Sequence, residues 1–139
     1  DSNCKTPVDS KVVNNKSTEL VVVKIGINCV KKYDSNVEIV FCETNQDGLI
    51  DLKCLMKKLS EKKINSLMVE GGGEIIWSFL KEKLVDDLFV YVAPIIIGGK
   101  NTPTMAAGEG IKDIDDIINL EIVESLKFGE GFLFHYKPV

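Results

Sequence analysis

The sequence predicts an α/β domain of three layers, in which helices cover a mostly parallel central sheet and an antiparallel hairpin closes the C-terminal end. Two observations lead to this prediction. Short β-branched segments alternate with amphipathic helical segments through the middle of the chain, as in βαβ units. Two strand-like segments then follow each other at the end, separated by the turn-forming residues 128–131. With 139 residues, the chain is predicted to form one domain over residues 1–139.

The first half of the chain is predicted to contain two strands and one helix. These are, in order, residues 20–25, residues 37–42 and residues 51–63. Both strands are short and β-branched, and a loop or short helix over residues 26–36 joins them. The Asp51 side chain can cap the helix, whose apolar residues recur at the spacing of one helix face. These residues are Leu52, Leu55, Met56 and Leu59.

The second half of the chain is predicted to alternate strand and helix before it ends in the hairpin. The predicted elements are strand 66–70, helix 74–83, strand 87–93, a loop over 98–110, and hairpin strands 120–127 and 132–137. Pro94 ends the strand 87–93, because proline cannot donate a ladder hydrogen bond. The first of these strands leads directly into three consecutive glycines.

The composition disfavours several classes of protein. A net charge of −4 and a pI of about 5.1 argue against a nonspecific nucleic-acid clamp. The sequence shows no apolar segment long enough to cross a membrane and no signal peptide, so a cytoplasmic location is predicted. All 17 basic residues are lysine, so the chain has no guanidinium group for forked contacts with phosphate.

The cysteines and the single histidine do not have the spacing of a metal site, and no metal is predicted. The four cysteines include no C-x-x-C pair. Cys42 and Cys54 are interpreted as small buried hydrophobic residues in a reducing cytoplasm. His135, which alternates with aromatic residues near the C-terminus, is assigned a structural role.

The segment that most favours a function is the triple glycine Gly71–Gly73 between the strand 66–70 and the helix 74–83. Glycines let a backbone approach a ligand closely, and the following helix directs N–H groups and its positive dipole end to the same place. This favours a phosphate or pyrophosphate site. The alternative is a tight turn without a ligand. The pattern is neither the dinucleotide-binding fingerprint nor a P-loop. Glu70, just before the glycines, either faces the cleft or is a solvated acid.

Several motifs together resemble the pyrimidine reductases of riboflavin biosynthesis. They are VEGGG at 69–73, LVDDL at 84–88, APIIIGG at 93–99, TPT at 102–104 and GEG at 108–110. The start of the chain, DSNCKTP, is similar to the D-S-x-L-R-x-P segment of that family. The chain looks most like the stand-alone archaeal type. The resemblance implies a dihydrofolate-reductase-like fold, a homodimer and NADPH-dependent reduction of a ribosylamino-pyrimidinone 5′-phosphate to the ribitylamino form.

The resemblance also implies which residues contact the cofactor and the substrate. The pyrophosphate of NADPH would lie on Gly71, Gly72, Gly73 and the backbone of Glu74. The adenosine-phosphate side would be lined by Asp1, Ser2, Asn3 and Cys4. Lys5 stands where the family usually has arginine, and it would attract the 2′-phosphate without a forked contact. Ile50 is expected near the adenine and Glu70 near the substrate. No catalytic residue is predicted.

The family's first strand and its S-x-x-(S/T)-L-D-G-K type segment have no counterpart in the chain. These carry much of the substrate binding, so the chain is expected to be the C-terminal portion of a reductase domain. Two alternatives stay open. One is a reductase of the same fold that acts on a pterin or another pyrimidine, and the other is a non-catalytic nucleotide-binding or dimerisation module. The sequence does not decide between the diamino and the deaminated pyrimidine, or whether a deaminase domain precedes the chain.

Overall fold

The computed structural model describes residues 1–15, 20–33 and 37–139. These residues form two compact units, Asp1–Leu67 and Met68–Val139, and each unit is described by itself. Residues 16–19 and 34–36, which fall within the predicted connecting segments, lie outside the described residues. The assignment of residues 1–139 to one domain stays a prediction.

The first unit contains a parallel strand pair and two helices. Its elements are α1 (Lys11–Asn14), β1 (Leu20–Lys24), β2 (Glu38–Cys42) and α2 (Leu52–Glu61). The two strands run parallel, with Leu20 opposite Glu38 and Lys24 opposite Cys42. Both predicted strands and the predicted helix are therefore confirmed, with bounds that differ by one or two residues. The single turn α1 was not predicted, because four residues carry too little periodicity.

The core of the first unit lies on β1 and includes the start of the chain. Val21 and Val23 are buried, since alternate strand residues point to the same side, and Cys4 is buried against them. Partly buried residues complete this cluster: Ile27, Cys29, Tyr33, Val37 and Ile39. The segment that begins the chain is thus packed into the hydrophobic cluster.

The helix α2 is capped and oriented as the sequence predicts. The Asp51 carboxylate accepts a hydrogen bond from the Cys54 N–H at 2.9 Å. This bond satisfies one of the N–H groups that have no acceptor within the helix. Leu52 and Leu59 are buried, and the other two residues of the apolar stripe are half-buried. The Asp51 N–H donates to the Glu43 carbonyl at 2.9 Å, which ties the start of α2 to the end of β2.

The second unit contains one helix and a three-stranded antiparallel sheet. Its elements are α3 (Gly73–Lys81), β3 (Leu88–Val92), a 3₁₀ turn (Ile114–Asp116), β4 (Leu120–Phe128) and β5 (Gly131–Pro138). The strand order is β3-β5-β4. β4 and β5 form the predicted hairpin, with Phe128 opposite Gly131. Helix α3 begins one residue before its predicted start.

One predicted strand is wrong, and the parallel sheet is smaller than predicted. In the described part of the chain, residues 64–70 belong to no helix or strand. Leu67 is 48% exposed and Met68 is 80% exposed, so these apolar side chains lack the packing that a buried strand requires. A strand depends on ladder partners as well as on β-propensity, and the sequence pattern reports only the propensity. The described parallel pairing is therefore that of β1 with β2.

None of the described helices is both long enough and apolar enough to span a membrane.

Candidate functional site

The triple glycine leads into α3, and Gly72 is the N-cap of this helix. Gly72 has an extended backbone (φ −71°, ψ 165°), and its carbonyl accepts hydrogen bonds from the N–H groups of Ile75 and Ile76 at 3.1 and 3.4 Å. The first N–H groups of a helix have no acceptor within it, and they lie at the positive end of the helix dipole. The N–H groups of Gly73 and Glu74 are therefore placed to bind an anion.

The reason why each position of the triple glycine requires or tolerates glycine differs among the three. A Cβ at Gly73 would lie 2.7 Å from the Thr104 carbonyl oxygen and 2.8 Å from the Ala107 nitrogen, whereas a Cβ at Gly71 would collide with the side chain of Ile75. Packing alone thus explains these two glycines. A Cβ at Gly72 would meet no described atom within 4 Å. Gly72 is open, as a close approach of ligand to backbone requires.

The loop that contains the TPT and GEG motifs is attached to α3 at several points. The Ala107 N–H donates to the Gly73 carbonyl at 3.1 Å, and the Gly108 N–H donates to Oε1 of Glu74 at 3.3 Å. Further along the helix, Lys81 forms an ion pair with Glu109. These contacts hold the Glu74 carboxylate toward the loop and fix the loop beside the start of the helix.

The Glu109 carboxyl is perturbed by this attachment. The hydrogen bond and the charge of Lys81 lower the pKa of Glu109, and Lys112, whose Nζ lies 3.7 Å away, lowers it further. All three side chains are largely exposed. The cluster therefore positions the loop with little effect on stability, because solvent screens exposed ion pairs.

The segment Asp1–Thr6 folds around the carboxylate of Asp1. Oδ1 of Asp1 accepts from the Lys5 N–H at 2.9 Å, and Oδ2 accepts from the Thr6 N–H at 2.6 Å. Cys4, in the turn between them, has a left-handed backbone with φ 53°. Since Asp1 already occupies these two N–H groups, the exposed ammonium of Lys5 is the group of this segment that is suited to a phosphate.

Four ties attach the segment Asp1–Thr6 to β1 and to the residues that follow β1. The Lys24 N–H donates to the Ser2 carbonyl at 3.1 Å. Lys31 Nζ and the Tyr33 hydroxyl both donate to the Thr6 carbonyl, at 2.7 and 3.0 Å. The fourth tie is a disulfide between Cys4 and Cys29, whose Cα atoms lie 5.6 Å apart.

The disulfide limits how Cys4 could contact a cofactor, and its predicted role at the adenosine-phosphate side stays a prediction. Its side chain is buried and bonded to Cys29, so Cys4 can line a cofactor site through its backbone but not through its thiol. Sequence reasoning missed this pair because the two cysteines are 25 residues apart and belong to no recognisable spacing. Ser2 is half-buried, while Asp1, Asn3 and Lys5 are exposed.

The other predicted site residues lie at the edges of regular structure. Ile50 is half-buried, bridges to Thr44 and directly precedes the N-cap of α2. Glu70 is exposed and directly precedes Gly71. Ile50 and the segment Asp1–Thr6 belong to the first unit, whereas Glu70 and the glycines belong to the second. The cofactor and substrate roles of these residues stay predictions.

The remaining two cysteines are neighbours at the joint between β2 and α2. Burial, and after it the charge and hydrogen bond of the neighbouring Cys54 thiol, raise the pKa of the Cys42 thiol to about 11. Cys42 is completely buried, as its interpretation as a small hydrophobic residue requires, but Cys54 is only half-buried.

His135 has structural partners in the antiparallel sheet. Its Nε2 lies 2.7 Å from Oδ1 of Asp87, and its ring stacks on Phe89 with a centroid distance of 4.4 Å. Phe89 is also its register partner on β3. These contacts agree with the structural role assigned from the sequence.

Comparison with known proteins agrees with the resemblance seen in the motifs. The family model described as the RibD C-terminal domain matches residues 1–134. The chain is 29% identical over 144 residues to the 2,5-diamino-6-ribosylamino-4(3H)-pyrimidinone 5′-phosphate reductase of Aquifex aeolicus and covers 62% of that protein. It is 33% identical over 138 residues to the protein of the same name from Methanothermobacter thermautotrophicus, and again covers 62% of it. These matches include 99% and 98% of the chain. The chain thus spans about three fifths of the length of these relatives.

The fold has a counterpart among solved structures. The riboflavin biosynthesis reductase Rib7 of Saccharomyces cerevisiae superposes with a TM-score of 0.76 at 22% identity, over 100% of this chain and 67% of that one. This similarity confirms the predicted α/β fold of the dihydrofolate-reductase-like type. Because the family model covers nearly the whole sequence, the chain belongs to the RibD C-terminal domain family.

Proposed function

We propose that this chain is the NADPH-binding part of a pyrimidine reductase of riboflavin biosynthesis, which reduces a ribosylamino-pyrimidinone 5′-phosphate to the ribitylamino compound. The observation that carries the proposal is the open helix N-terminus at Gly72, in a chain that belongs to the RibD C-terminal domain family. The names of the relatives in Aquifex aeolicus and Methanothermobacter thermautotrophicus support the choice of substrate.

The start of α3 is assigned the pyrophosphate of NADPH. The backbone N–H groups of Gly73 and Glu74 supply donors, and the absence of a Cβ at Gly72 leaves room for phosphate oxygens. The Glu74 carboxylate would repel an anion at this position. Its hydrogen bond to the Gly108 N–H holds it toward the loop, which reduces that repulsion.

Lys5 is assigned the 2′-phosphate that distinguishes NADPH from NADH. Its side chain is exposed, and the turn around Asp1 fixes its backbone. An ammonium group acts as a point charge, so it favours the 2′-phosphate without the geometric selectivity of a guanidinium fork. We therefore expect NADPH to be preferred, with a smaller margin than an arginine at this position would give.

The chemistry of the reduction resides in the cofactor, and the residues of the chain bind and orient. When bound, NADPH supplies a hydride to C1′ of the ribosylamino group, which opens the sugar to the ribitylamino form. Glu70 precedes the glycines and carries an exposed carboxylate that can accept a hydrogen bond from the substrate. Orientation of the reacting groups lowers the barrier without a charged catalytic side chain.

The proposal includes a homodimer that forms through one face of the antiparallel sheet. Phe89 on β3 is 61% exposed, and Tyr91 and Phe128 are exposed on the same face, where their rings make an edge contact. An apolar face of this kind usually marks an interface. Phe89→Lys is expected to yield monomers by light scattering. Phe132→Lys, on the opposite face, is expected to leave the dimer intact, and dissociation by both variants or neither would contradict this interface.

The cytoplasmic location predicted from the sequence is part of the same proposal. Disulfides are rare in a reducing cytoplasm, so the Cys4–Cys29 bond is an unusual feature for a protein of that compartment.

The experiment that tests the proposed function is a turnover assay that follows NADPH consumption by the full-length protein, because the chain spans about three fifths of its relatives' length. The substrates are the diamino pyrimidinone phosphate, its deaminated counterpart and a dihydropterin. Consumption with either pyrimidine and not with the pterin supports the proposal. Consumption with the pterin alone would show that the protein is a reductase with a different substrate. If NADPH binds but is not consumed with any of these substrates, the protein is a nucleotide-binding module and the proposed reductase activity is contradicted.

A further inference from the structure

We propose that Cys4–Cys29 is a thiol–disulfide exchange site, through which a dithiol reductant loosens the segment Asp1–Thr6. The regulatory consequence rests on the proposed function, because this segment is the one assigned to the adenosine-phosphate side of NADPH. Reduction is expected to weaken NADPH binding, and reoxidation is expected to restore it.

The bridge joins the candidate cofactor segment to the residues that follow β1. Cys4 lies in the turn that precedes Lys5, and Cys29 lies five residues beyond the end of β1 at Lys24. Breaking the bond therefore loosens the turn that positions the Lys5 ammonium, which the Asp1 carboxylate then holds through the N–H groups of Lys5 and Thr6. The two cysteines differ in access, since Cys4 is buried and Cys29 is half-buried. We therefore expect an attacking thiolate to reach the Cys29 sulfur before that of Cys4.

Because hydrogen bonds also hold the segment Asp1–Thr6, reduction of the disulfide loosens the segment without unfolding it. After reduction, the Ser2 carbonyl still accepts from the Lys24 N–H, and the Thr6 carbonyl still accepts from Lys31 and Tyr33. These hydrogen bonds hold the two ends of the segment, while the bridge holds its middle. The turn around Cys4 is consequently the part that gains freedom.

The hydrophobic cluster of the first unit tolerates the reduced state. Cys4 packs with Val21 and Val23, and the partly buried Cys29 packs against the same cluster. A free cysteine is a small apolar residue of nearly the same volume as a half-cystine, so reduction creates no large cavity. The unit can therefore keep its core in both redox states.

The dithiol supplies the two electrons and two protons that reduce the disulfide. Its first thiolate attacks Sγ of Cys29, the Sγ–Sγ bond breaks, and Cys4 leaves as a thiolate that takes up a proton. Its second thiolate attacks the mixed disulfide, releases Cys29 as a thiolate that is also protonated, and closes the reductant into a disulfide. Two electrons and two protons pass from the dithiol to the cysteine pair.

The second cysteine pair provides a matched control. Cys42 is completely buried, and its thiol pKa of about 11 keeps it protonated and unreactive. Cys54 is half-buried but lies at the start of α2, outside the segment Asp1–Thr6. Cys54→Ser therefore removes one thiol without touching the bridge.

The first test is hydrogen exchange of the full chain, before and after dithiothreitol, with the thiols counted by alkylation and mass spectrometry. The oxidised chain should contain two free thiols, in keeping with the cysteines that the structure leaves unpaired. Reduction should accelerate exchange at the amides of Cys4 and Lys5 by about tenfold, since opening becomes more frequent. Cys29→Ser should exchange rapidly without reductant, and Cys54→Ser should behave like the wild type. Four free thiols in the oxidised chain, or no change in exchange on reduction, would overturn the site.

The second test compares NADPH and NADH affinity in both redox states. After reduction, only a fraction of the molecules has the turn in the conformation that binds the 2′-phosphate. NADPH binding should therefore weaken by about five- to tenfold, while NADH binding changes little. Equal NADPH affinity in both states would overturn the regulation even where exchange accelerates. Absence of NADPH binding by the oxidised chain would instead overturn the proposed function and with it the regulation. In that case, the hydrogen-exchange measurement still shows whether reduction of Cys4–Cys29 loosens the segment.

Discussion

Gly108 lies so close to the Trp77 indole that a Cβ at residue 108 would collide with Cδ1 and lie 2.7 Å from Nε1. Gly108 also has φ +74°, in the left-handed region that favours glycine, and its N–H donates to the Glu74 carboxylate. The first glycine of the GEG motif is thus explained by contact with the helix that follows the triple glycine. The loop therefore packs directly against α3.

Gly108→Ala is expected to destabilise the protein by about 2 to 4 kcal/mol, because it combines left-handed strain with overpacking against Trp77. Gly110→Ala is the control, since Gly110 has φ +68° but no described atom within 4 Å of the added Cβ. It should lose about 1 to 2 kcal/mol from strain alone. Urea unfolding followed by Trp77 fluorescence measures both, and equal losses would contradict the contact.

Gly72→Ala and Gly73→Ala should separate binding from packing. Gly73→Ala forces a Cβ against Thr104 and Ala107 and should lose about 1 to 3 kcal/mol of stability. Gly72→Ala meets no described atom, and its backbone angles suit alanine, so its stability should change by less than about 1 kcal/mol. Its NADPH affinity should nevertheless fall at least about tenfold, as expected for a methyl group placed against a bound phosphate. Unchanged NADPH binding by Gly72→Ala in calorimetry would contradict the pyrophosphate assignment.

Asp51→Ala should destabilise the first unit by about 1 kcal/mol, because the Cys54 N–H loses its capping acceptor. Asp51→Asn keeps an oxygen at the same position and should lose only a few tenths of a kcal/mol. Thermal unfolding followed by circular dichroism compares the two variants. A loss of equal size in both would show that charge, and not the cap, is what matters.

The buried Cys42 thiol predicts a loss of stability at alkaline pH. Burial, with a smaller contribution from Cys54, raises the pKa of Cys42 from the ordinary value of 9.0 to about 11 in the folded chain. Between these values the folded state keeps a proton that the unfolded state has lost, so the free energy of unfolding falls as pH rises. The loss is on the order of 2 kcal/mol from pH 9 to pH 11.

Two variants check the origin of this alkaline loss. Cys42→Ala should flatten the dependence over the same range in urea titrations. Cys54→Ser should keep most of it, because burial is the larger cause. A slope unchanged by Cys42→Ala would assign the effect to other groups.

The elements that could be predicted from the sequence are those specified by local pattern. The cap at Asp51 and the apolar stripe of α2 occur within about three turns of chain, and the structure shows both. The hairpin of β4 and β5 is likewise specified by two adjacent strands and the turn between them. In these cases the residues that interact are neighbours in sequence.

The features that were missed depend on partners distant in sequence. The predicted strand 66–70 has the propensity of a strand but no described ladder partner. The disulfide joins residues 25 apart, and no spacing rule connects them. The glycines of the candidate site were singled out together, yet the distinct role of Gly72 emerges only from the atoms around each position.

The most direct test of the account is a titration of the oxidised chain with NADPH and then with NADH, followed by the fluorescence of Trp77, the single tryptophan of the sequence. Trp77 lies in the helix whose N-terminus is assigned the pyrophosphate, so both cofactors should change its emission. NADPH should bind about tenfold or more tightly than NADH, and Lys5→Ala should remove this difference, since the 2′-phosphate loses its charge partner. No response to either cofactor would contradict the cofactor site, and equal affinities in the wild type would contradict the role of Lys5.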